Sequence, residues 1–251
     1  MTVLSDLRCL TCLDKTDFQA RCMEMSRALS SDLELPAVTN DGNKGQYTTC
    51  YQSVSLLKRC QPSMLDRWTP GYTDGDGNCM FRAISQAVYG TQDYYMQLRV
   101  LACLEVGLHR PTYDKSSTVC HSLLSSELLL PPTFLELWTE LTTPGRSCCY
   151  VALLAVSAVL QVRVFSYFPP LATFVSPLTM EMVGRDVDTR ARCVAVMWST
   201  VGDVPATGGV DINHMVSLHK RGEPVPEQQP PATVATTVSR PCDNSGRLYG
   251  M

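Results

Sequence analysis

The chain has 251 residues, of which 45% are hydrophobic and 18% charged, and its formal charge is −3. These values exclude a wholly disordered or fibrous protein and fit one large domain, or one domain with extensions. Because acidic residues (24) outnumber basic ones (21), there is no cationic excess to neutralise phosphates, and we expect no nucleic-acid partner. The longest apolar run, residues 148–160, is too short to span a bilayer, and we expect no membrane association.

Twelve cysteines are the unusual part of the composition. No basic segment followed by a long apolar one stands at the N-terminus, so we expect an intracellular protein, cytoplasmic rather than nuclear, with reduced thiols. Cys9 and Cys12 form a C-x-x-C, but a second such pair or a nearby histidine is missing. Ordinary thiols are the default interpretation of this pair, and no motif indicates a metal or an organic cofactor.

In chain order, residues 1–60 are expected to form a helical extension and residues 61–221 the main domain. Turn-forming residues fill 68–78, and a helix follows from Cys79 until Gly90 ends it. A second helix is predicted at 93–109, and a strongly apolar one at 147–160. Strands are predicted at 162–167, 193–198 and 212–218, with a loop at 202–209. Helices first and strands second indicate an α+β fold with a small central sheet between helical regions.

Residues 222–251 contain five prolines. We predict that this segment is a flexible, proline-rich tail outside the domain.

The stretch of the sequence that points to chemistry is D-G-N-C-M-F-R-A, residues 76–83. It places Cys79 where a glycine-containing loop becomes a helix. A helix N-terminus favours thiolate over thiol, and its first N–H groups are free to stabilise an oxyanion. Gly77 lets the backbone approach a substrate closely. Cys79 is therefore a candidate nucleophile.

A nucleophilic cysteine needs a base, and the sequence has four histidines. His214 stands out because it opens a short apolar strand after a glycine-rich loop. The other three lie in polar or charged settings, and His219 in particular is expected to be exposed.

The D-G-N-C-x-F-R block, with Leu98 and Arg99 on the next helix, resembles the nucleophile region of the ovarian tumour (OTU) family of cysteine proteases. The segment N-H-M-V-S-L, residues 213–218, is similar to the histidine strand of that family. The resemblance covers residues 68–220. Residues 150–168 and 193–198 more weakly resemble vertnin, a vertebrate protein related to transposon-borne OTU-like sequences, which points to a mobile-element or viral origin.

The resemblance implies a papain-like OTU fold and deubiquitination, the hydrolysis of isopeptide bonds at the C-terminal glycine of ubiquitin. Cys79 is then the nucleophile and His214 the base, and the oxyanion hole comes from the N–H groups of Cys79 and of residues 76–78. The implied partner is ubiquitin or polyubiquitin, bound by a monomer. Residues expected to contact the substrate are Gly77, Asn78, Asn213 and Trp198.

The position of the acid departs from the family pattern. Many OTU members carry Asp or Asn two residues after the histidine, where this chain has Val216. Asp76 is a candidate catalytic acid, and a turn-forming or capping role is the alternative. Further candidates for the third member are Asp41 and Asp66 upstream and Asp211 and Asn213 locally. The family's Gly-Gly before the apolar helix is also replaced, by P-G-R-S at residues 144–147.

Two other functions fit the same residues. Val216 favours a catalytically silent OTU-like module that binds ubiquitin or another protein without cutting it. A protease for another ubiquitin-like modifier or for a polyprotein would retain Cys79 and His214.

Overall fold

The computed structural model describes residues 3–38, 47–114, 133–170 and 180–221. The predicted tail at 222–251 and the candidate acid Asp41 lie outside the described residues. The helices of the described ranges are α1 (Val3–Cys9), α2 (Lys15–Ala28), α3 (Tyr51–Cys60), α4 (Cys79–Tyr89), α5 (Tyr95–Leu108), α6 (Arg110–Tyr113), α7 (Phe134–Thr142) and α8 (Tyr150–Leu160). Short 3-10 helices occupy Leu10–Cys12 and Pro62–Asp66.

Five strands of the described ranges form one mixed sheet. They are β1 (Trp68–Gly71), β2 (Arg163–Tyr167), β3 (Met180–Val183), β4 (Cys193–Ser199) and β5 (His214–Lys220). The strand order is β1-β5-β4-β2-β3. β2 and β4 are parallel, and the other pairs are antiparallel. This architecture confirms the predicted α+β class.

The sheet is covered on both faces, which explains why β4 is almost entirely apolar. Val194 and Val196 join a large apolar cluster with residues of α4, α5, α7 and α8, whereas Ala195 and Met197 join a smaller cluster with residues of α3. Alternate residues of a strand point to opposite faces, so each cluster takes every second residue. A helix enclosed on all sides must be apolar all round, as α8 is.

The N-terminal helices pack against the large cluster. Leu4 and Leu7 are buried in it, and the indole N–H of Trp138 on α7 donates to the carbonyl of Leu7 at 3.1 Å. In the described ranges, no helix has the length and apolarity needed to cross a bilayer.

Three local expectations differ from the structure. Residues 68–71 form strand β1 instead of a loop; Pro70 is tolerated because β1 is an edge strand, where one side of the backbone needs no partner. The apolar helix begins at Tyr150, since Cys149 is still extended. His219 is not freely exposed: it stacks on Tyr47 with ring centroids 3.7 Å apart, and burial lowers its pKa to about 4.

Candidate active site

Cys79 is the first residue of α4, as predicted from the loop before it. The side chain is 7% exposed and belongs to the large apolar cluster. Burial raises the pKa of the thiol, and the backbone of Met215, which lies against it, lowers that pKa by a smaller amount. The nucleophile candidate therefore rests as a thiol beside the start of β5, one residue along the strand from His214.

His214 is the first residue of β5 and pairs with Ser199 of β4. Its Nε2 lies 3.1 Å from the carbonyl oxygen of Thr73, and a carbonyl can only accept, so Nε2 carries the proton. The other ring nitrogen, Nδ1, is buried and has no hydrogen-bond partner among the described residues. Burial lowers the pKa of the imidazole. This leaves a neutral ring whose Nδ1 can accept a proton.

The position two residues after His214 is occupied by an apolar core residue. Val216 is fully buried in the smaller apolar cluster, which also contains Leu56 and Leu57 of α3. An ionised carboxylate there would be desolvated without a partner. The hydrogen bond to His214 Nε2 comes instead from the Thr73 carbonyl, and a backbone atom leaves no signal in the sequence.

Asp76 holds the loop before Cys79. Its carboxylate accepts from the backbone and side-chain N–H groups of Asn78 at 2.9 and 3.0 Å and from Arg82 at 2.7 Å. The Arg82 guanidinium is the main cause that holds the pKa of this carboxyl well below its usual range. These bonds correspond to the turn-forming alternative, and none of them goes to His214.

A buried arginine fixes the same loop from inside. Arg99 on α5 is fully buried, and its Nη1 donates to Oδ1 of Asn78 at 2.6 Å. The guanidinium also donates to backbone carbonyls at the end of α7 and just beyond it, those of Glu140, Leu141, Thr143 and Arg146. Since helix C-terminal carbonyls have no intrahelical donors, the cation satisfies them and ties α7 to the residue before the nucleophile.

The segment 143–146 closes one side of the loop. Gly145 N–H donates to Oδ1 of Asn78 at 3.2 Å. Gly77 has φ +77°, and a Cβ placed on it would lie 1.8 Å from the carbonyl oxygen of Gly145. Glycine at 77 is thus required by conformation and by contact with the neighbouring backbone.

The other predicted residues occupy three different places. Asn213 is exposed; its side chain bonds to Asp211 and to the backbone N–H of Val201, so it orders the β4–β5 loop. Trp198 packs on Tyr150 with centroids 4.8 Å apart. Asp66 lies at the opposite end of β5 from His214, because neighbouring Arg67 pairs with Arg221.

Among the residues that the structure describes, no group of three or more His, Cys, Asp or Glu side chains is placed to hold a metal ion. Two residues near the candidate site, Arg99 and Thr73, had no role assigned to them from the sequence. The D-G-N-C-x-F-R block gave a signal for Cys79. Arg99 gave none, because it bonds to Asn78 and to four backbone carbonyls, all of them distant in sequence.

Comparison with known protein families identifies the family of residues 70–199. Residues 70–199, more than half of the chain, match the family described as "Vertnin, OTU domain". No curated protein matches the chain.

Similar solved structures include the OTU domain of OTUD1, with 18% identity over 66% of this chain and 99% of that chain and a TM-score of 0.45. The OTU domain protease of Farallon virus has 17% identity over 62% of this chain and 86% of that one, with a TM-score of 0.41. The Hazara virus OTU, solved bound to ubiquitin, has 9% identity over 62% and 84%, with a TM-score of 0.41. On the match over residues 70–199, the chain belongs to the vertnin OTU-domain family.

Proposed function

We propose that this protein is a thiol-dependent deubiquitinase that hydrolyses isopeptide bonds at the C-terminal glycine of ubiquitin. The observation that carries the proposal is the arrangement at the start of β5. Cys79 opens α4 against Met215, and adjacent His214 is anchored through Nε2 with Nδ1 unpartnered among the described residues. A thiol at a helix N-terminus and an oriented base beside it are the groups that acyl transfer requires.

In the first half-reaction, Cys79 Sγ attacks the carbonyl carbon of the isopeptide bond while His214 Nδ1 takes the thiol proton. Proton transfer accompanies attack because burial holds both groups neutral at rest. The carbon–nitrogen bond then breaks, and the imidazolium gives its proton to the leaving lysine amine. A thioester and a free amine result.

In the second half-reaction, water attacks the thioester and His214 takes its proton. The carbon–sulfur bond breaks, the thiolate recovers that proton from the imidazolium, and ubiquitin leaves with a free C-terminal carboxyl group, which loses its remaining proton to solvent. Thr73 keeps the ring oriented throughout by accepting from Nε2. The ring can therefore exchange a proton at Nδ1 twice in each turnover without rotating.

The negative oxygen formed in each half-reaction needs N–H donors. The N–H of Asn78 is already donated to Asp76. We assign the oxyanion hole to the N–H of Cys79, which has no intrahelical acceptor at the helix start, together with the 76–77 backbone. Arg99 and Asp76 act as positioning residues, since both hold Asn78.

The test is reaction with ubiquitin bearing a C-terminal propargyl group, read by intact mass. We expect one ubiquitin adduct on the wild type and none on Cys79→Ala. Cys193→Ala removes an exposed thiol away from the site and should keep the adduct. His214→Ala should reduce hydrolysis of a ubiquitin substrate by several orders of magnitude. Full reaction of Cys79→Ala would show that the site assignment is wrong.

Val216 in the acid position favours one alternative, a module that binds ubiquitin without cutting it. Calorimetric binding of ubiquitin by a folded protein that forms no adduct identifies that case. Adducts with probes of another ubiquitin-like modifier, in the absence of a ubiquitin adduct, identify a protease of different specificity.

A further inference from the structure

The backbone on both sides of Thr73 is held by one side chain, that of Gln92 in the turn between α4 and α5. The amide nitrogen Nε2 of Gln92 donates to the carbonyl oxygen of Tyr72 at 3.2 Å. The amide oxygen Oε1 accepts from the backbone N–H of Asp74, also at 3.2 Å. The two bonds bracket Thr73, the residue whose carbonyl accepts from His214 Nε2.

One peptide unit, between Thr73 and Asp74, carries the bonds to both side chains. Its C=O accepts from His214, and its N–H donates to Gln92. A trans peptide unit is planar, and its C=O and N–H point in opposite directions, so a partner that fixes the N–H also fixes the direction of the C=O. The Thr73 hydroxyl is buried and has no hydrogen-bond partner among the described residues, so this hydroxyl does not anchor the residue.

The turn that carries Gln92 is fixed by α4. The hydroxyl of Ser85, a fully buried residue of α4, donates to the carbonyl of Thr91 at 2.7 Å. The same oxygen accepts from the N–H of Tyr94 at 3.2 Å, so Ser85 bonds to the backbone on either side of Gln92. Because α4 begins with Cys79, one helix carries the nucleophile candidate at its start and holds Gln92 near its end.

Resting on the proposed function, we infer that Gln92 is a positioning residue for His214. It holds the Thr73–Asp74 peptide unit so that the carbonyl keeps the imidazole proton on Nε2 and leaves Nδ1 as the atom that exchanges protons with Cys79. Gln92 acts on the base through the backbone of Thr73. Its loss should therefore slow the reaction without weakening the binding of substrate.

The first measurement is the tautomer of His214, which needs no substrate. NMR of protein with isotope-labelled histidine distinguishes a ring protonated at Nε2 from one protonated at Nδ1. At about pH 8, where histidine is neutral, we expect the Nε2–H form alone in the wild type. Gln92→Met keeps the length of the side chain and removes both hydrogen bonds. We expect the Nδ1–H form of His214 to appear beside the Nε2–H form in this variant.

Gln19→Met is the matched control. Gln19 lies on α2, and its Nε2 also donates to a backbone carbonyl, that of Leu108 at the end of α5, at 3.1 Å. The control therefore removes the same kind of bond from another part of the fold. It should change neither the tautomer of His214 nor the kinetics. Urea denaturation of both variants checks that each one is folded.

The second measurement is steady-state hydrolysis of a ubiquitin substrate. For Gln92→Met we expect about a tenfold fall in kcat with KM kept within about twofold, because the base is displaced and the substrate surface is not. The acid limb of kcat/KM should also move to lower pH. The Thr73 bond and the carboxylates of Asp74 and Asp76 all raise the pKa of His214, and the variant weakens the first of these three.

The two measurements separate this inference from the proposed function. An unchanged tautomer or an unchanged kcat in Gln92→Met overturns the inference, and so does a rise in KM alone, which would mean that Gln92 contacts the substrate. A mixture of tautomers in the wild type overturns it without any variant. A wild type that holds the Nε2–H form but neither forms an adduct nor hydrolyses ubiquitin overturns the proposed function, while the tautomer of Gln92→Met still decides whether Gln92 positions the ring.

Discussion

The nucleophile and the histidine of the candidate site are held in different ways. Asn78, directly before Cys79, is bonded to Asp76, to Arg99 and to Gly145, so three separate segments fix one residue. His214 is fixed by its place at the start of β5 and by one hydrogen bond to the Thr73 carbonyl. The first arrangement joins three segments of the chain, whereas the second, within the described residues, combines strand pairing with one hydrogen bond of the ring.

This difference predicts where each kind of variant should act. Substitutions around Asn78 and Cys79 disturb the packing between α4, α5 and α7. They should therefore strongly affect the stability of the fold and the position of Cys79. On the histidine side, the surrounding residues form an apolar cluster and an open cleft. Changes there should affect proton transfer more than folding.

The largest effect is expected from Arg99→Met. The substitution leaves Asn78 and four backbone carbonyls without the donor that satisfies them. Loss of a buried, fully bonded cation should lower the free energy of unfolding by about 3–5 kcal/mol, measured by urea denaturation. Arg82→Met is the control. Its partly exposed ion pair with Asp76 should contribute only about 1 kcal/mol. Equal losses in both variants would contradict the conclusion that Arg99 is the main link between α7 and the loop before Cys79.

The next largest effect concerns the two glycines of the nucleophile loop. Gly77→Ala drives a methyl group into the Gly145 backbone at a positive φ, so the loop must shift. Displacement of catalytic groups by about 1 Å costs on the order of a hundredfold in kcat/KM. Gly75→Ala meets the movable Val201 side chain at 2.8 Å and only ordinary van der Waals contact, 3.9 Å, with the His214 ring, so it should cost less than tenfold. The measurement is kcat/KM of both variants by steady-state kinetics. Similar losses of kcat/KM in the two variants would show that the Gly77–Gly145 contact has no special importance.

A smaller effect is expected at the vacant acid position. Val216→Asn buries an amide in an apolar cluster and should lower the free energy of unfolding by about 1–3 kcal/mol. It should not raise kcat/KM, because Thr73 already accepts from Nε2. Val216→Ala controls for the lost volume. A severalfold gain in kcat/KM for the Asn variant would mean that the carbonyl orients the ring poorly.

The last prediction concerns pH and needs no substitution. Burial lowers the pKa of His214 below 6.5 and raises that of Cys79 above 9.0. Protonation of the imidazole as pH falls removes the base, so the acid limb of kcat/KM should lie below pH 6.5. Deprotonation of the thiol as pH rises should place the midpoint of iodoacetamide alkylation at Cys79 above pH 9.0. If the rate of alkylation at Cys79 has already reached its plateau at neutral pH, the resting site would be a thiolate–imidazolium pair.

Much of the fold was predictable because its signals are local. The start of α4 at Cys79 follows from the loop residues before it, and its end follows from Gly90, which adopts a left-handed conformation. β4 was predictable from an uninterrupted apolar run. β1 was not, since Pro70 and Gly71 are turn-forming residues whose pairing with β5 comes from partners about 150 positions later.

The α+β class, the nucleophile candidate and its helix follow from local sequence, because loop composition and apolar periodicity act over a few residues. The hydrogen-bond partner of His214 does not, since a backbone carbonyl oxygen is the same in every residue type. The burial of Val216, the bonds of Arg99 between α7 and the loop before Cys79, and the contact of Gly77 with Gly145 likewise come from the tertiary structure. Each of these depends on chain segments that are far apart in sequence and meet only when the protein folds.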